Sequence, residues 1–153
     1  MNPPAIQVSD IAHTIQLALA PVFLLAGVAA ILNMLAGRLS RIVDRSRILA
    51  REIAPPGDPV RKDQAGELRM LDRRMAVVNW AIFFCTSSAL AICVVVAGLF
   101  VAALGGFGFA RTVAVVFVIA MLLLITALLL FLIEVRLARR AVRVAQELLD
   151  HPL

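Results

Sequence analysis

Very few side chains in this chain have the chemistry to react. His13 stands close to Asp10 and is a candidate pH-sensitive group or metal ligand. The other histidine, His151, is at the far end of the chain, so no metal site follows. Cys85 and Cys93 lie in one apolar run, eight residues apart, two helical turns and too far for a disulfide. With no CxxC and no Cys/His cluster they read as packing residues. Thr86, Ser87 and Ser88 are expected to bond the backbone of their own helix. There is no Ser/His/Asp set, no pair of membrane carboxylates, no glycine phosphate loop and no HExxH. The expectation is a protein that is not an enzyme and that uses no cofactor or metal.

The chemistry that is present is cationic. Arg38, Arg41, Arg45 and Arg47 follow directly on an apolar run, and residues 36–74 hold ten Lys and Arg. Residues 1–14 hold none, residues 105–111 only Arg111, and the tail after Ile133 holds four. Glu134 is the only acid where the third apolar run ends. An unpaired carboxylate at that depth is costly, so an ion pair with Arg38 or Arg74 is expected, fixing helix register. A transport role for Glu134 is the alternative.

These residues sit on elements with a clear composition. Hydrophobic residues make up 62% of the chain, charged residues only 16%, and the mean hydropathy is +0.97. Soluble domains are nearer half apolar, so the class is integral membrane protein. Three spans are expected at 15–35, 75–104 and 112–133, each about as long as a bilayer requires or longer. No signal peptide is evident, because the N-terminus lacks a basic region. The glycine-rich 105–111 segment reads as a tight turn. With three spans the two basic segments fall on one side, which the positive-inside rule makes the cytoplasm. The N-terminus and the 105–111 turn then face the periplasm. The net charge of +5 needs no nucleic acid to explain it; anionic headgroups attract arginines placed beside apolar runs.

The basic segments are themselves helical in pattern. Over 35–52, Leu35, Leu39, Ile42, Val43, Ser46, Leu49 and Ala50 share one arc and the charged residues the other, with only Ile48 out of place. The proline-rich "APPGDPV", residues 54–60, ends that helix. A second stripe, Leu68, Leu71, Met75 and Val78, leads into span two, and the tail 134–153 repeats the amphipathic pattern. The fold class is therefore all-α, a single membrane domain. Its three spans extend into a basic, amphipathic cytoplasmic bundle, with 37–74 as a helical hairpin. An alternative is that 37–52 lies flat on the membrane surface.

Two further patterns bear on function. Span two carries Ala81, Cys85, Ala89, Cys93 and Ala97 at every fourth position, a small-residue ridge that suits close helix packing. Span one carries His13, Gln16, Ala20, Phe23, Gly27, Ala30 and Met34 on one face, running into the basic face of Arg38, Arg41 and Arg45. Around an oligomer axis this stripe lines a pore, with Phe23 as a constriction; otherwise it is a packing face. Pro21 is a candidate kink, Asn33 and Asn79 are candidate bonds to a neighbouring helix, and Trp80 is a candidate interfacial anchor. The leading expectation is a self-associating interaction or scaffold subunit. Its basic helices bind a protein partner or anionic lipid on the cytoplasmic side. The alternative is a homo-oligomeric channel or transport element lined by span one.

The segments "HTIQLALAPVFLLAGVAAILNMLAGRLSRIVDRSR" and "RRMAVVNWAIFFCTSSALAICVVVAGLFV" resemble a bacterial family of small membrane proteins, catalogued as domain of unknown function 2721. The resemblance runs from about Ser9 to Arg143. It implies a bacterial inner-membrane protein with three helices, and it transfers no activity and no site residue.

Overall fold

The computed structural model describes residues 8–105 and 110–149, with side chains at 12–104 and 111–138. The centre of the glycine turn, His151, the Asp10 carboxylate and the side chains of the tail from Arg139 onward lie outside the described residues.

Three helices make up the described chain: α1 (Val8–Arg51), α2 (Val60–Gly105) and α3 (Ala110–Leu149). All three contain stretches long and apolar enough to cross a membrane. A helix is the only local structure that bonds all its own backbone groups, as a segment in hydrocarbon must. The absence of Asp, Glu, Lys and Arg from 11–37, 75–110 and 112–133 gives each helix an uncharged stretch. Pro21 is buried inside α1 without ending it. Large apolar side chains such as Phe23, Leu90 and Leu104 are more than two-thirds exposed, the pattern of a surface solvated by lipid.

α1 runs on through the basic residues to Arg51, where the prolines stop it. The link to α2 is specified residue by residue. Asp58 N–H donates to the Pro55 carbonyl at 3.3 Å, and Gly57 has φ +104°. This is a type II turn, with proline at its second position and, at its third, the glycine that its positive φ favours. The Asp58 carboxylate then accepts from Val60 N–H at 2.9 Å and caps α2, with Pro59 at the first helical position, where no N–H is needed. Gln64 ties the turn back. Its carbonyl accepts from Ala54 N–H at 2.8 Å and its amide donates to the Glu52 carbonyl at 3.0 Å.

The chain divides into two compact units, residues 1–32 with 84–125, and residues 33–83 with 126–153. In the first unit the buried positions include Ala18 and Val28 of α1, Cys85, Ser88, Ile92 and Val95 of α2, and Ala120 and Leu124 of α3. The Ser88 hydroxyl donates to the Ala120 carbonyl at 2.7 Å. This corrects the expectation that it would bond its own helix. In the second unit they are Leu35, Ile42 and Leu49, Leu71, Val78 and Ala81, and Ala127 and Glu134. Along α1, Pro21, Val28, Leu35, Ile42 and Leu49 recur every seven residues. Leu25, Leu32, Leu39 and Ser46, half-buried, fall between them. That alternation of threes and fours is the spacing of a coiled-coil seam.

Candidate functional site

The second unit holds fourteen of the fifteen Lys and Arg and nine of the ten Asp and Glu, so the whole net charge of +5 resides there. Its central polar feature is Glu134, which occupies a seam position of α3 seven residues after Ala127 and is 1% exposed. One carboxylate oxygen accepts from Arg38 at 3.0 Å and the other from Arg74 at 2.9 Å. Each helix therefore contributes one member, and in each helix that residue bounds the uncharged stretch. The Arg38 guanidinium also lies 5.0 Å from the Phe131 ring centroid, a cation–π distance.

Charge-assisted bonds of this kind are about twice as strong as neutral ones, and they offset the desolvation of a buried carboxylate. What such a pair contributes best is register, because the two oxygens accept only when both arginines are at the right height. The arrangement also carries a cost: Arg74 Nε is buried without a hydrogen-bond partner among the described residues.

Beside this triad a groove of about 470 Å³ opens between α1, α2 and α3 within the second unit. Arg38, Arg41, Arg45, Arg74 and Glu134 supply its charge, and Asn33, Met34, Gly37, Ile42 and Leu71 complete its wall. Arg45 is engaged at its outer edge, donating to Glu67 at 2.8 and 3.0 Å in a solvent-exposed pair. Arg41 makes no ion pair with any of the described residues and is exposed. Four guanidinium groups thus face one lining carboxylate, which is already turned onto two of them.

The other candidate residues are distributed differently. His13, Gln16, Ala20, Phe23, Gly27, Ala30 and Met34 are all exposed, and Phe23 reaches 74%. The stripe is the face of α1 away from its seam, and a Cβ added at Gly27 meets nothing within 4 Å. Of the small-residue ridge, Ala81 and Cys85 are fully buried and Ala89 half-buried, while Cys93 and Ala97 are exposed. A four-residue step overshoots a full helical turn by about 40°, so the ridge winds off the packed face. Ser88, Ile92 and Val95 continue that face instead. The close approach in this region is at Gly98, where a Cβ would meet Val113 Cγ2 at 3.2 Å. Asn33 and Asn79, expected to bond a neighbouring helix, are exposed and make no side-chain hydrogen bond among the described residues, and Asn33 stands on the groove wall. Trp80 is exposed, edge-on to Phe83 with ring centroids 5.7 Å apart.

The residues that sequence reasoning missed are Phe131, Gly98 and Gln64. All but Gln64 lie in uncharged stretches where nothing in the local pattern marks them. A family model described as Protein of unknown function (DUF2721) matches residues 18–144. Neither the curated proteins nor the solved structures contain a match.

Proposed function

Because the chain belongs to the DUF2721 family, whose description carries no activity, we propose a function from the site alone: a non-enzymatic scaffold or interaction subunit of a bacterial inner membrane. In this reading the N-terminus is periplasmic, and the basic ends of the three helices form a cytoplasmic bundle that engages an anionic partner. The positive-inside rule supports the orientation, since ten and four basic residues flank one side and none and one the other. The observation that carries the reading is the groove that, among the described residues, is lined by four arginines and only one carboxylate. The Glu134 triad serves it by holding α1, α2 and α3 in register beneath the basic surface.

A second reading has its own observation. The His13–Met34 stripe is exposed along α1, as the lining of an oligomeric pore must be in the single chain. The two are separated by the mass of the purified protein in detergent, followed by ion flux from liposomes carrying the same sample. The scaffold reading expects a small self-associated species, a dimer at most, with no flux. A ring of four or more copies with flux overturns it in favour of the pore.

A further inference from the structure

We propose that the groove at Arg38, Arg41 and Arg45 binds the phosphate headgroup of an anionic phospholipid. This rests on the scaffold reading and names one ligand for its basic surface. Position is the first support. Asn33, Met34 and Gly37 stand on the groove wall, and all belong to the uncharged stretch of α1, residues 11–37. Arg38 is the first charge after that stretch. The groove thus begins where hydrocarbon gives way to headgroups, the level at which a lipid presents its phosphate. An acidic peptide arriving from water has no use for the apolar part of this wall, whereas the glycerol backbone of a lipid does.

Charge is the second support. The only lining carboxylate among the described residues is turned onto Arg38 and Arg74, so it neither fills the groove nor leaves it neutral. Arg41 is free of ion pairs with the described residues, and guanidinium presents paired donors that match phosphate oxygens. Shape is the third. The volume of about 470 Å³ lies within the range of small-ligand sites. A Cβ added at Gly37 meets nothing within 4 Å, so the space beside α1 is open at that point.

The test uses the full chain in a neutral detergent. Native mass spectrometry counts adducts of phosphatidylglycerol and of phosphatidylcholine with the same acyl chains, with and without inorganic phosphate. We expect phosphatidylglycerol to bind in preference to phosphatidylcholine and millimolar phosphate to leave it bound. Arg41→Gln weakens binding about ten-fold, the scale of one charge-assisted contact. Gly37→Leu weakens it as well, by filling the groove without changing any charge. Arg73→Gln removes the same charge from an exposed residue outside the groove lining and leaves binding within two-fold. Equal binding of the two lipids overturns the proposal. So does complete displacement by phosphate, which identifies a soluble anion as the ligand. Equal losses in Arg41→Gln and Arg73→Gln reduce the site to diffuse surface charge and overturn it too. None of these outcomes touches the scaffold reading, which stands or falls on mass and flux.

Discussion

Glu134 shows why a single buried charge can matter more than a dozen exposed ones. It is 1% exposed and satisfied on both oxygens, whereas Glu67, paired with Arg45, is 42% exposed. Removing one partner of a buried ion pair costs about 3 kcal/mol, because the other is left charged in a place that cannot solvate it. An exposed pair contributes less than about 1 kcal/mol. Glu134→Gln is therefore expected to lower stability by about 3 kcal/mol and Glu67→Gln by less than about 1, read from unfolding in mixed micelles titrated with a denaturing detergent. Equal effects would mean that the triad is solvated and sets no register. A double Glu134→Leu, Arg74→Leu variant should recover part of the loss, since it leaves fewer unpaired charges than the single change. The residues of this triad were legible beforehand, because each bounds an uncharged stretch and so stands at a similar depth. Its cation–π partner Phe131 was not, being one apolar residue among many.

At the scale of the element, legibility follows the charges. Over residues 35–52 polar side chains mark the outside, and the buried Leu35, Ile42 and Leu49 with the half-buried Leu39, Val43 and Ser46 can be read from the wheel, while Ala50 of the same arc is exposed. Over residues 17–32 every face is apolar, and a helix that is apolar all round carries no contrast between core and lipid. The structure shows that the same heptad continues backward through Val28 and Pro21, so the seam could have been found by stepping sevens from the charged end. The four-residue ridge on α2 follows the packed face of the single chain only through Ala81, Cys85 and Ala89, because its period is not that of the face; Cys93 and Ala97 are left for contacts between subunits, the alternative that such a ridge serves equally. The seam makes a prediction that hydrophobicity alone does not. Leu35 is 0% exposed and Phe23 74% exposed. Leu35→Ala should cost about 2 kcal/mol through the cavity it leaves, while Phe23→Ala should stay within about 0.5 kcal/mol, since its ring exchanges lipid for lipid. The same detergent unfolding reads both. A larger loss at Phe23 would show that this face is packed in the protein as it exists, and would point to an oligomer contact there.

The whole molecule is polarised along its chain. The second unit carries the full net charge, and the first has one arginine and one aspartate. An odd number of crossings places the 36–74 segment and the tail on one side, and an even number would place them on opposite sides. Fourteen basic residues divided between two faces would pull the chain in both directions, and the positive-inside rule would then have no consistent answer. Three helices of sufficient length remove that conflict. On the proposed orientation a reporter fused after Pro55, in the turn between α1 and α2, registers as cytoplasmic, and one fused ahead of Ile11 registers as periplasmic. The asymmetry also sets how firm this is. Adding three lysines between residues 2 and 8 opposes ten charges with three, and should leave most of the population in the same orientation. Replacing Arg38, Arg41, Arg45, Arg47 and Arg51 with Gln at the same time halves the nearest opposing segment and should produce a mixed population, measured by the ratio of the two reporter signals. A periplasmic signal after Pro55 in the unaltered chain would put the arginine groove on the side where anionic headgroups do not hold it, and the lipid site would lose its argument from position.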